Sequence, residues 1–80
     1  MDRIEAVINE WDPLGFFPMA PLDEYSKEVQ QIREYLDDNE KIQVEQLAVV
    51  INRIFVTSFG GDVYEADIKH CEEIAKKILG

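Results

Sequence analysis

The 80-residue sequence contains very little cysteine, histidine and basic charge. A single cysteine, Cys71, cannot form an internal disulfide, and no cysteine pair with the spacing of zinc ligands is present. The single histidine, His70, directly precedes Cys71. On a helix, adjacent side chains point about 100° apart, which is poor geometry for a cysteine–histidine nucleophile pair. The sequence therefore predicts no cofactor and no catalytic centre built on these two residues.

Long apolar segments are also missing. The longest uninterrupted run, Leu47 to Ile51, is far shorter than the roughly 18 residues that a membrane-spanning helix needs. Charged side chains (Asp2, Arg3, Glu5 and Glu10) are scattered through the first ten residues, where a secretory signal would carry an apolar core. We therefore expect a cytoplasmic protein that does not associate with a membrane.

Negative charge dominates the sequence, with a net charge of −9, and it is unevenly distributed. Residues 12–40 hold eight acidic side chains against Lys27 and Arg33, so six of the nine excess charges lie there. Because nucleic-acid binding depends on lysines and arginines that displace counterions from phosphates, the composition argues against a nucleic-acid partner. The electric field of these acidic side chains would attract a basic protein. The alternative is that the negative charge serves only to keep the protein soluble.

The apolar fraction of 46% is that of a folded protein, and the length predicts one domain over residues 1–80. Apolar residues recur with helical spacing, as at Ile4, Val7, Ile8 and Trp11, and no alternating strand pattern is present. We predict an all-α, compact four-helix array. The first helix ends at Asp12-Pro13, and the second begins near Asp23 or Ser26. The third covers roughly Val44 to Phe59. The fourth begins with the capping-box pattern Asp62-Val63-Tyr64-Glu65.

A proline-rich apolar loop is predicted between helices 1 and 2. Asp12-Pro13-Leu14-Gly15 fits a type I turn, and residues 16–22 contain two more prolines and no charge. Val49 and Val56 lie on the polar side of the third helix, and we expect this loop, with Phe16 and Phe17, to cover them. Coverage by a second copy of the chain, which would make a homodimer, is one alternative, and simple exposure of the two valines is the other.

Acidic side chains are the remaining candidates for chemistry. Asp12, Asp23 and Glu24, together with Tyr25, flank the loop and could converge on a hard cation, which prefers oxygen ligands. Capping and turn roles explain Asp12 and Asp23 without a metal. We therefore expect no metal site and no enzyme, and a carboxylate-based metal-dependent enzyme stays the less favoured alternative.

Two short motifs carry a family resemblance. Trp11-Asp12-Pro13-Leu14-Gly15, followed by Asp23-Glu24-Tyr25 and a helix, resembles the YugE-like family of short bacterial proteins, a domain of unknown function, over nearly the whole chain. The resemblance implies a compact helical fold and a bacterial source, and it supplies no activity or cofactor. On physical grounds the motifs also suit folding, since Trp11 is large enough to anchor the junction and Tyr25 can pack inward with its hydroxyl on a polar group. Recognition of a ligand by the same residues is the alternative.

The same signature also looks like that of small acidic antitoxin or immunity proteins, which block basic toxins. Charge and resemblance together favour a non-enzymatic protein-interaction module that binds a basic partner through residues 23–40. A homodimeric structural or regulatory protein is the alternative, and a carboxylate-based metal-dependent enzyme, from a different class, is the less favoured one.

Overall fold

The computed structural model describes residues 3–15, 24–62, 64 and 67–80. These residues form four α-helices: α1 (Arg3–Trp11), α2 (Ser26–Asp38), α3 (Val44–Phe59) and α4 (Ile68–Leu79). No strand occurs among them, so the predicted all-α fold with four helices is confirmed. Within the same ranges, none of the helices is long and apolar enough to cross a membrane.

The core lies where α3 packs along α4, with α1 and α2 completing the array. The contact between α3 and α4 is the most extensive, while α1 touches both α2 and α4, and α2 also touches α3. The helix stripes predicted from apolar spacing supply most of the buried side chains: Ile8, Tyr25, Val29, Ile32, Leu47, Ala48, Ile51, Phe55, Tyr64, Cys71, Ile74, Ala75 and Ile78. Cys71 is a fully buried free thiol, as expected for a core cysteine.

Helix α3 begins and ends where the sequence predicts. At its start, the backbone N–H of Gln43 donates to Gln46 Oε1 (3.0 Å), which satisfies one polar group at the helix entrance. At its end, Gly60 has φ of +84° and donates to the Val56 carbonyl (2.8 Å). A residue with a side chain would be strained in this left-handed region, so glycine stops the helix.

The predicted start of α4 is wrong. Helix α4 begins at Ile68 and not at Asp62, and Asp67 caps it by accepting a hydrogen bond from the His70 N–H (3.1 Å). The Tyr64 N–H instead donates to the Gly60 carbonyl (2.9 Å), and the Tyr64 side chain is buried in the core. Burial of this aromatic ring therefore takes precedence over the local capping pattern.

The start of α2 also differs in part from the prediction. The helix begins at Ser26, but the residue in the capping position is Tyr25, and its side chain makes no capping hydrogen bond. The other predicted cap, Asp23, lies outside the described residues. On the inner face of α2, Glu28 is buried, 3% exposed, beside the expected Val29 and Ile32, so one acidic residue that we expected on the surface is inside.

The two valines on the outer side of α3 have different surroundings. Val49 is 46% exposed, whereas Val56 is partly buried and packs against the core. The expectation that the loop of the same chain covers both valines is therefore wrong for Val49, and coverage by a second copy stays a prediction. Residues 16–23, which contain the phenylalanines of the proposed cover, lie outside the described residues.

Candidate functional site

The turn after α1 is connected to the start of α2 by hydrogen bonds. The Gly15 N–H donates to the Asp12 carbonyl (3.0 Å), which closes the predicted turn. The Tyr25 hydroxyl donates to Asp12 Oδ1 (2.6 Å) and accepts from the Leu14 N–H (3.2 Å). Since the Tyr25 ring is fully buried, its hydroxyl holds the turn from within the core. Tyr25 of the second motif therefore meets Asp12 and Leu14 of the first.

Asp12 itself has an uncommon backbone conformation. Its φ is +45°, a left-handed value that aspartate and asparagine adopt more readily than most residues because their short polar side chains bond locally. The Asp12 N–H still donates to the Ile8 carbonyl (2.9 Å). The chain thus leaves α1 sharply at Asp12, and Pro13 continues the turn.

Trp11 lies at the centre of an aromatic cluster. Its ring meets the edges of Phe55 (centroids 5.2 Å apart) and Tyr64 (6.3 Å) and stacks on His70 (5.6 Å, planes 18° apart). The Trp11 side chain is only partly buried and packs against the core. The ring therefore packs at the junction while part of it stays at the surface, and its role as an anchor of the fold stays a prediction. His70 is an exposed residue, also as expected, and its contact with Trp11 was not foreseen.

A small polar cluster lies beneath this junction. The Tyr64 hydroxyl donates to Asn52 Oδ1 (3.0 Å) and lies 3.3 Å from the Cys71 sulfur. Burial raises the pKa of the Tyr64 phenol, and its contact with Cys71 raises it further. Burial also raises the pKa of the Cys71 thiol, although the Tyr64 hydroxyl partly offsets the increase. Both groups are therefore neutral at physiological pH, and a reactive thiolate is not favoured.

The other end of the molecule carries an acidic groove between α2 and α3. Its volume is about 590 Å³, and we define the acidic groove by the residues that line it: Tyr35, Asp37, Asp38, Asn39, Glu40, Lys41, Ile42 and Gln46. Tyr35 and Ile42 are half-buried, whereas the three carboxylates are exposed. The groove thus combines apolar surface with a concentration of negative charge.

The residues singled out from the sequence separate into two groups. Trp11, Asp12, Pro13 and Tyr25 come together at the junction, with Gly15 exposed at the end of the turn at φ of +68°. Glu24 is exposed, and Asp23 lies outside the described residues. No group of three or more histidine, cysteine, aspartate or glutamate side chains within the described ranges is arranged to hold a metal ion.

Comparison with known proteins places this architecture in a family. The sequence matches the family described as "domain of unknown function (DUF1871)" over residues 3–80. The chain belongs to this family. The match confirms the expectation of an uncharacterised family that covers nearly the whole chain, while the narrower YugE-like assignment stays a prediction. Searches of the curated proteins and of the solved structures find no match.

Sequence reasoning missed three residues at the junction. Asn52 and Tyr64 pair across the core, and Asp67 caps α4 beside Trp11. A sequence signal existed for Asp67, since aspartate is a preferred cap residue. It was overlooked because the pattern at Asp62 satisfies the same rule five residues earlier.

Proposed function

We propose that this protein is a non-enzymatic interaction module that binds a basic protein through the acidic groove. The observation that carries the proposal is a groove lining that combines three exposed carboxylates, Asp37, Asp38 and Glu40, with the half-buried Tyr35 and Ile42. Interfaces generally combine an apolar centre, in which tyrosine is favoured, with a polar rim. The lining of the groove contains both apolar and charged side chains.

The fold narrows the acidic surface that we predicted for residues 23–40. Glu28, which belongs to this segment, is buried, so its charge does not contribute to the exposed surface. The exposed charge of the described part is therefore greatest toward the end of α2 and in the turn after it. Lys41 is the one basic residue among those that line the groove, against three carboxylates, so the net charge of the lining is negative.

Charge complementarity of this kind mainly accelerates association and selects the partner. A negative patch steers a positive partner, and the effect weakens as salt screens the charges. Small acidic immunity proteins that block basic toxins use the same complementarity, which makes a basic toxin the class of partner that the sequence resemblance suggests. A partner of this class would place lysine or arginine over the carboxylates and an apolar side chain over Tyr35.

The test compares two variants of equal net charge. The first neutralises the groove with Asp37→Asn, Asp38→Asn and Glu40→Gln. The control neutralises three exposed acids on other surfaces, Glu10→Gln, Asp62→Asn and Glu73→Gln. Both carry a net charge of −6, since three charges are removed from −9. Wild type is used to capture a partner from lysate of the source organism at low salt, and the purified partner is then titrated against all three proteins by calorimetry.

We expect the groove variant to bind about tenfold more weakly than wild type or more, because three charge contacts of moderate strength are lost. The control should change affinity less than about threefold, and higher salt should weaken binding by wild type. Equal weakening in both variants would mean that only net charge matters. Unchanged binding by the groove variant would place the interface elsewhere, and failure of wild type to capture any protein would contradict the proposed function.

A further inference from the structure

A second, smaller pocket lies at the junction of α1 and α4. Its volume is about 240 Å³, and it is lined by Trp11, Pro13, Tyr64, Asp67 and His70. The volume is below the roughly 300–1,000 Å³ of pockets that bury whole drug-sized molecules. A single side chain is therefore a better match for this space than a cofactor.

The lining combines aromatic walls with one carboxylate. Trp11 and Tyr64 meet edge to face, and the His70 ring stacks on Trp11. Asp67 Oδ1 accepts the capping bond from the His70 N–H (3.1 Å). Oδ2 makes no hydrogen bond to any other described residue, and Asp67 is an exposed residue. The pocket thus offers ring surfaces and a hydrogen-bond acceptor with a negative charge.

The local electric field favours a cation over an anion. The beginning of α4 is the positive end of its helix dipole, which is equivalent to about half an elementary charge. The Asp67 carboxylate at the same position carries a full negative charge, so the sign at the pocket is negative. The net charge of −9 acts in the same direction. An anionic ligand would have to approach Asp67 and would be repelled.

We propose that this pocket binds a guanidinium group, presented by an arginine side chain of another polypeptide. Guanidinium is planar, stacks on aromatic surfaces and pairs with carboxylates, whereas the ammonium of lysine is a strongly hydrated point charge. The pocket shares no residue with the acidic groove. The two sites can therefore be tested independently, and one can fail without the other.

The test uses Trp11 as the reporter, because it is the only tryptophan in the chain. N-acetyl-arginine amide is titrated into the full chain while tryptophan fluorescence is recorded. N-acetyl-citrulline amide is the control ligand, since it has the same length but a neutral urea in place of the guanidinium. Parallel titrations into free N-acetyl-tryptophan amide correct for direct quenching, and circular dichroism checks that the helices stay folded.

We expect a saturable change with the arginine ligand and at least about fivefold weaker binding of the citrulline ligand, because the charge contact to Asp67 is lost. Asp67→Asn should weaken arginine binding by a similar factor. The fold should survive, because asparagine is as good a helix cap as aspartate. Asp62→Asn, a neighbouring exposed acid outside the pocket, is the control variant and should bind like wild type.

Three results would overturn the proposal. The first is a fluorescence change that does not saturate, or no change at all. The second is equal binding of the arginine and citrulline ligands, which would show that the guanidinium is not recognised. The third is unchanged arginine binding by a folded Asp67→Asn variant, which would remove the carboxylate from the site.

Discussion

The hydroxyl of Tyr25 can be removed with little other change by the substitution Tyr25→Phe. In the native structure this hydroxyl donates to Asp12 Oδ1 at 2.6 Å and accepts from the Leu14 N–H at 3.2 Å. The ring is fully buried and meets the edges of Phe55 (5.9 Å) and Phe59 (6.3 Å). Phenylalanine retains these ring contacts, so the variant removes the hydrogen bonds of the hydroxyl and little else.

The expected loss follows from the nature of these bonds. A hydrogen bond to a charged group contributes about 1.5–3 kcal/mol to stability, and a neutral bond contributes about 1 kcal/mol. Because the junction is half-buried, we expect Tyr25→Phe to lower the free energy of unfolding by about 2 kcal/mol. A chain of this size has roughly 4–12 kcal/mol in total. The melting temperature should therefore fall by about 8–16 °C.

The measurement is urea denaturation followed by circular dichroism, with Tyr35→Phe as the matched control. The Tyr35 side chain lies half-buried on the same helix, and its hydroxyl makes no hydrogen bond within the described residues. The control should stay within about 0.5 kcal/mol of wild type. A Tyr25→Phe variant as stable as the control would refute the role that we assign to the hydroxyl.

Two further predictions concern the surface of α3 and the buried polar cluster. Val56→Lys should lower the free energy of unfolding by about 2 kcal/mol because it buries a charge. Val49→Lys, at an exposed position, should stay within about 0.5 kcal/mol of wild type. If urea denaturation found Val49→Lys equally destabilising, Val49 would have to be covered. The folded state raises the pKa of Cys71 and of Tyr64, so the unfolded chain loses these protons at a lower pH than the folded chain does. The free energy of unfolding should therefore be constant near pH 7 and fall as the pH rises above about 8.5. In Cys71→Ser, which lacks the thiol, the fall should begin nearer about pH 10, and curves that stay parallel between pH 8 and 9.5 would contradict the assignment.

Local sequence patterns were sufficient for the helices and for several of their ends. The bounds of α3, Val44 and Phe59, were predicted correctly, because helical apolar spacing and a following glycine act over only a few residues. The turn at Asp12 to Gly15 was predicted for the same reason, and its closing hydrogen bond is present. The inward packing of Tyr25, with its hydroxyl on a polar group, was also predicted from the motif, and the ring is fully buried.

Tertiary structure decided the features that depend on residues far apart in the sequence. The bond from Tyr25 to Asp12 spans 13 residues, and that from Tyr64 to Asn52 spans 12, so no short window of sequence contains both partners. Burial of Tyr64 moved the start of α4 to Ile68, although the capping pattern at residues 62–65 was locally sound.

The candidate sites show the same division between local pattern and packing. The sequence by itself determined that acidic residues are concentrated in residues 12–40, because charge is a property of composition. It could not determine that Glu28 is buried while Asp37 and Asp38 are exposed around a groove. Helical spacing alone allows a residue at the edge of an apolar stripe to be either buried or exposed. Which side of the stripe is covered depends on how the helices pack, and only the tertiary structure establishes that packing.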